Sequence, residues 1–195
     1  MTSPLTLLPL LLLIALLGAA VFHDVRARRI PNAVVFPGML AALALHALVP
    51  AGAGLFAPQP GGLGLLSALG GLGLGLAILM PMYVLRLMGA GDVKLLAMVG
   101  AFVGAGQILF VGLATLMAGG VLALVFAAFQ GKLRALLGNA GRMALHGGLS
   151  AMAGDMNGFV AAPEAASGRL PYAIAIATAA AGCALWLRIH GELPL

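Results

Sequence analysis

The strongest constraint on the fold is a series of long apolar segments separated by short polar links. The first segment, "PLTLLPLLLLIALLGAAVF", extends from Pro4 to Phe22 and contains no charged residue. A helix of this length covers roughly 28 Å, which is enough to cross the hydrocarbon core of a bilayer. Because 63% of the chain is hydrophobic and only 8% is charged, there are too few polar side chains to cover a soluble core. The sequence therefore predicts an all-α membrane protein.

The apolar pattern predicts a polytopic bundle of about six transmembrane helices, which we treat as a single domain over residues 1–195. The expected helices are 4–22, 32–49, 62–85, 93–105, 107–129 and 171–188. Residues 130–170 are more polar and are expected to form a cytoplasmic loop. Within that loop, "KLRALLGNAGRMALHGGL" is suited to an interfacial helix, and a passive connector is the alternative.

The basic residues orient this bundle. Met1 to Ser3 include no Lys or Arg, whereas "RARR" follows the first apolar segment, a pattern that favours a retained helix over a cleaved signal peptide. With the N-terminus outside, nine of the ten Lys and Arg residues fall on the cytoplasmic side and only Arg188 does not. This is the distribution that membrane topology requires. It places both termini outside, in the periplasm, and explains the net charge of +5 without nucleic acid as a partner.

Two carboxylates stand at predicted helix ends on the cytoplasmic side. Asp24 follows the first helix in "FHDVRARRIPN", and Asp92 precedes the fourth in "GAGDVK". Antiparallel helices with short links can bring such ends together. Two adjacent carboxyl groups tend to share one proton, so that one acts as a base and the other as an acid. We assign the remaining acidic residues to solvent, and these are Asp155, Glu164 and Glu192.

Other interpretations of the same residues exist. Asp92 is also suited to capping the fourth helix, and Asp24 to pairing with Arg26 or Arg28. The alternative functions are therefore a small proton-coupled transporter and a structural subunit of a secretion or pilus machine. The one cysteine, Cys183, and the absence of a CxxC pair favour neither a metal nor another cofactor. The glycines of "GGLGLG" and "GAFVG" indicate close helix packing rather than nucleotide binding.

Two motifs carry a family resemblance. "DVRARRIPN" (Asp24 to Asn32) resembles the first aspartate motif of the type IV prepilin peptidases, D-x5-[IL]-P-[ND], and "GAGDVKLL" (Gly89 to Leu96) resembles their GxGD motif. "RLPYAIAIA" is similar to the opening of the family's last helix, with Ala173 where many members have glycine. The link after the first helix is short and lacks cysteine, so the chain resembles the compact branch that serves Flp pili. That branch lacks the zinc and methyltransferase loop.

The resemblance implies an aspartic endopeptidase of the bacterial inner membrane. Such an enzyme removes the basic leader of a prepilin at the cytoplasmic face, after a glycine. Its partners would be the prepilin, with its leader and hydrophobic helix, membrane lipid, and pilus or secretion assembly proteins. Asp24 and Asp92 would be the catalytic pair. The resemblance also implies residues that bind substrate or shape the site, and these are Gly89, Gly91, Lys94, Pro31, Asn32, Pro171 and Tyr172.

Overall fold

Helices make up nearly all the regular structure of the described residues. The structure, a computed structural model, describes residues 7–58, 60–85, 87–131, 133–134, 138, 141 and 171–191. Its helices are α1 (Leu8–Ala27), α2 (Asn32–Leu48), α3 (Leu65–Val84), α4 (Ala90–Val103), α5 (Ile108–Phe129) and α6 (Tyr172–His190). Within the described ranges, β structure is limited to an isolated bridge between Ala51 and Gly62. The predicted all-α class is confirmed.

Four of these helices are long and apolar enough to cross a membrane, namely α1, α3, α5 and α6. The other two are shorter, with 17 residues in α2 and 14 in α4. Helix α4 lies at the centre of the bundle and packs against all five others. Every residue from Leu95 to Val103 is buried. The short fourth helix therefore forms the core around which the longer helices pack.

Close packing of α3 against α4 depends on glycine. A methyl group on Gly71 would overlap the backbone carbonyl of Gly100, and one on Gly75 would lie 2.6 Å from the carbonyl oxygen of Leu96. Small residues four positions apart let two helix backbones approach in this way. The predicted packing role of the "GGLGLG" segment is confirmed.

Several helix ends differ from the prediction, and α3, for example, begins at Leu65, three residues later than predicted. Helix α1 continues to Ala27, five residues beyond its predicted end, and α4 begins at Ala90, three residues earlier than predicted. Charged side chains beside an apolar segment do not stop a helix, so the apolar segments alone underestimate the length of α1 and α4. The chain leaves α1 at Arg28, whose left-handed φ of 51° ends the helix while its N–H still bonds the carbonyl of Asp24. The predicted loop and interfacial helix of residues 130–170 fall largely outside the described residues.

Candidate active site

Asp24 lies in the last turn of α1 and is only 7% exposed. Its Oδ2 accepts a hydrogen bond of 3.2 Å from the backbone N–H of Ala173. Ala173 is the second residue of α6, and the first N–H groups of a helix have no partner within the helix. The positive end of α6 therefore faces the Asp24 carboxyl group. Asp24 thus lies inside the bundle, not in a solvent-exposed pair at the surface.

Asp92 lies in the first turn of α4 and is 9% exposed. Its Oδ2 accepts a hydrogen bond of 3.1 Å from the backbone N–H of Gly89, so the capping role considered from the sequence is present. Burial, followed by the negative charge of Asp24, raises the pKa of Asp92 to about 6, although the Gly89 N–H acts in the opposite direction. The charge of Asp24 therefore acts on Asp92, so the two carboxyl groups belong to one electrostatic site.

The bundle therefore brings both predicted aspartates to one end, where α1 finishes and α4 and α6 begin. We call this the aspartate end. A pair of buried carboxyl groups can hold one proton between them, and the titration then belongs to the pair. Such a pair offers a base and an acid at the same place near neutral pH. This arrangement can activate water and protonate a leaving group.

The two motif glycines differ in their surroundings. A methyl group on Gly91 would lie 3.1 Å from Cβ of Ile30, the buried residue in the link between α1 and α2. A methyl group on Gly89 would meet nothing closer than Asp92 Oδ2 at 3.5 Å, an ordinary contact. Gly91 therefore permits the close approach that places Asp92 beside the end of α1. Gly89 contributes mainly its backbone N–H, which donates to Asp92.

Lys94 of α4 contacts two residues of α2. Its Nζ donates to Oδ1 of Asn32 at 3.2 Å and lies 5.5 Å from the centre of the Phe36 ring. Pro31 is the N-cap of α2, and its carbonyl accepts the N–H of Val34 at 3.1 Å. These residues join the start of α2 to the first turns of α4, at the rim of the aspartate end.

Pro171 and Tyr172 begin α6. Pro171 is its N-cap, and its carbonyl accepts the N–H of Ile174 at 3.2 Å. The Tyr172 ring packs on Gly119 of α5, and its hydroxyl donates to the backbone oxygen of Thr115 at 3.5 Å. Pro171 therefore caps the start of α6, and Tyr172 fixes this start, with the Ala173 N–H that bonds Asp24, to α5.

Ile30 and Ala173 at the aspartate end were not predicted from the sequence, whereas Arg28 is one of the two partners that the sequence offers Asp24. Arg28 acts electrostatically on Asp24, Ile30 packs on Gly91, and Ala173 supplies a backbone N–H. Because α1 extends through Ala27, the four-residue spacing from Asp24 favours Arg28 over Arg26. Ala173 gave no signal, because any residue except proline supplies an N–H. Among the described residues, no group of three or more His, Cys, Asp or Glu side chains could hold a metal ion.

Comparison with known proteins identifies the family of the chain. The model of the type IV leader peptidase family matches residues 11–124. That region includes both aspartates and extends from α1 into α5, whereas α6 lies beyond it. Neither the curated proteins nor the solved structures contain a significant match. Because the match covers more than half of the 195 residues, the chain belongs to the type IV leader peptidase family.

Proposed function

We propose that the protein is an aspartic endopeptidase that cleaves the leader from prepilin-like substrates. The observation that carries this proposal is the burial of Asp24 and Asp92 at one end of the bundle, with the charge of one acting on the other. Buried carboxyl pairs with a pKa moved towards neutrality are typical of acid–base catalysis. Membership of a leader peptidase family supports the same reaction class.

The proposed reaction adds water across a peptide bond. One ionised carboxylate takes a proton from water while the water oxygen bonds to the scissile carbonyl carbon, and the protonated partner gives its proton to the carbonyl oxygen. The resulting diol collapses as the carbon–nitrogen bond breaks. The base returns its proton to the leaving nitrogen, and the acid regains one from a diol hydroxyl. Both aspartates end as they began, and no metal or other cofactor enters the balance.

The proposed topology follows from the basic residues. Arg26, Arg28 and Arg29 lie beside Asp24 in the chain, and Lys94 lies beside Asp92. If the positive side is cytoplasmic, the aspartate end faces the cytoplasm of a bacterial inner membrane. A prepilin presents there a basic leader, a glycine at the cut site and an apolar helix. The compact link of residues 28–31 between α1 and α2 supports cleavage without the methyltransferase activity of larger members.

A cleavage assay with amide variants tests the proposal. The purified protein in lipid vesicles would receive a quenched fluorescent peptide with a basic leader, a glycine and an apolar segment. We expect Asp24→Asn and Asp92→Asn each to lower kcat/KM by about three orders of magnitude, since acid–base groups typically contribute 10²- to 10⁴-fold. Asp155→Asn is the matched control, because it changes an aspartate that the sequence assigns to solvent.

Asparagine also separates catalysis from capping. Its side-chain oxygen can still accept the N–H of Gly89 or Ala173, so the helix ends retain their partners. If the aspartates only capped helices, both variants would cleave as fast as the wild-type protein. That result, or the absence of cleavage by the wild-type protein, would contradict the proposed function.

A further inference from the structure

The backbone at Arg28 is unusual for its residue type. Among the described non-glycine residues, only Arg28 has a positive φ, at 51°. Left-handed backbone is unfavourable for a residue with a Cβ, and glycine or asparagine normally occupies this position after a helix. An arginine placed there against the backbone preference points to a role for its side chain.

The same conformation brings Arg28 back towards Asp24. The Arg28 N–H donates to the backbone carbonyl of Asp24 at 2.8 Å, so the two residues stand one helical turn apart. The guanidinium group acts electrostatically on the Asp24 carboxyl group. On its other side, Asp24 Oδ2 accepts the N–H of Ala173 at the positive end of α6. Burial is the largest influence on Asp24 and disfavours its ionised form, and the Ala173 N–H and the Arg28 guanidinium both oppose that effect.

The neighbouring helices contribute other titratable and charged groups, and most of these bond or pack elsewhere. Helix α4 contributes Asp92, whose carboxyl group accepts the Gly89 N–H at the start of that helix, and Lys94, which is bonded to Asn32. The titratable group of α6 at this end is Tyr172, whose hydroxyl bonds Thr115. The titratable residue of α2, His46, lies near the opposite end of that helix. On α1 itself, the Arg26 guanidinium lies over the Phe22 ring, and His23 packs edge-on against that ring.

We propose that Arg28 is a positioning residue that keeps Asp24 as the ionised member of the pair. Asp24 is then the base that takes the proton from water, and Asp92 carries the proton that the carbonyl oxygen receives. This assignment rests on the proposed function. It deepens that function by giving each carboxyl group a distinct role and by adding a residue outside the two recognised motif positions.

Carboxyl NMR tests the charge relationship without requiring cleavage. The chain has three aspartates, so aspartate labelled with ¹³C at the side-chain carboxyl in an Asp155→Asn background leaves two signals, from Asp24 and Asp92. Arg28→Asn removes the charge and retains a residue that tolerates left-handed backbone. We expect Asp24 in this variant to ionise about 0.5 to 1 pH unit higher, because a nearby positive charge stabilises the carboxylate. Arg28→Lys should restore most of the wild-type titration, and Arg29→Asn, the neighbouring control, should not change it.

The pH profile of cleavage provides the second readout. In Arg28→Asn, the acid limb of the kcat/KM profile should move to higher pH by the same amount. This gives a three- to tenfold loss of kcat/KM on that limb and little loss at the optimum pH. Arg28→Gly, which relieves the backbone, should give the same shift, so that poor folding of one variant does not decide the result. An Asp24 titration unchanged in both Arg28 variants, or an equal shift in Arg29→Asn, would overturn the inference. A wild-type protein that cleaves no leader peptide would instead overturn the proposed function and leave the NMR result interpretable.

Discussion

The side chain of Asp24 in α1 accepts a hydrogen bond from the backbone of Ala173 in α6, although 149 residues separate them. This bond joins the first and last described helices at the aspartate end. The region that matches the leader peptidase family supplies both carboxyl groups, but the donor to Asp24 comes from outside that region. The proposed active site is therefore complete only when α6 packs against α1.

The proposed pair predicts a fall in activity at alkaline pH. Burial and the charge of Asp24 raise the pKa of Asp92 to about 6. An acid with a raised pKa keeps its proton until the pH passes that value, and the mechanism requires this proton. We therefore expect kcat/KM to decline by up to tenfold per pH unit as the pH rises above about 6. A peptide cleavage assay in lipid vesicles between pH 4 and pH 9, at constant ionic strength, measures the profile.

The contribution of Asp24 to the raised pKa of Asp92 can be tested separately. In Asp24→Asn the nearby negative charge is absent, so Asp92 should ionise at a lower pH than in the wild-type protein. Carboxyl NMR of the variant reports the titration even though cleavage is lost. An Asp92 titration that stays the same in Asp24→Asn would mean that the two carboxyl groups do not interact.

Substitution of the motif glycines should give unequal effects. A methyl group on Gly91 would press on Ile30 at 3.1 Å, whereas one on Gly89 has ordinary space. Because Asp92 follows Gly91 directly, we expect Gly91→Ala to displace the carboxyl group and to lower kcat/KM by about tenfold or more. Gly89→Ala should lower it by no more than about threefold, because it retains the N–H that bonds Asp92. Equal losses in the two variants would contradict the proposed role of the Ile30 contact.

Much of this arrangement follows from patterns that are local in the chain. Apolar run length predicts the helices, and the basic links predict that Asp24 and Asp92 share one end of the bundle. Glycine spacing predicts close helix packing, which the structure shows between α3 and α4. Each of these inferences depends on residue type and spacing, which can be read directly from the sequence.

The features that could not be predicted depend on backbone geometry and tertiary contacts. The end of α1 is set by the left-handed backbone of Arg28, which no residue preference for arginine indicates. The donor to Asp24 is a backbone N–H, which has no sequence signature. Lys94 was placed at the site by the motif, but only the packing of α2 on α4 places its amine at Asn32.

The α3–α4 contact predicts a sharp difference between neighbouring glycines. Gly71 meets the backbone of Gly100, whereas Gly73 has no atom within 4 Å of an added methyl group. Gly71→Ala must force the two helices apart, and overpacking of this kind typically costs about 1–3 kcal/mol. Gly73→Ala should be neutral or stabilise the helix by up to about 1 kcal/mol. Thermal unfolding in detergent measures both variants, and equal Tm values would contradict the close-packing interpretation.

His46 is expected to stabilise the end of the bundle opposite to the aspartates. Its Nδ1 accepts the N–H of Leu63 at 3.0 Å, so its Nε2 carries a proton and donates to the carbonyl of Phe102, also at 3.0 Å. The side chain is only 2% exposed. His46→Ala leaves two backbone groups without a partner, which costs about 1–3 kcal/mol and should lower Tm by about 2–4 °C per kcal/mol.

The control for His46 is His190, an exposed residue near the end of α6. His190→Ala should change the stability by no more than about 0.5 kcal/mol, as surface substitutions usually do. At a temperature well below the transition, His46→Ala should cleave the leader peptide at nearly the wild-type rate, because both aspartates keep their partners. A large loss of activity with an unchanged Tm would instead place His46 in the reaction. A loss of stability with activity retained would confirm that the two ends of the bundle have separate roles.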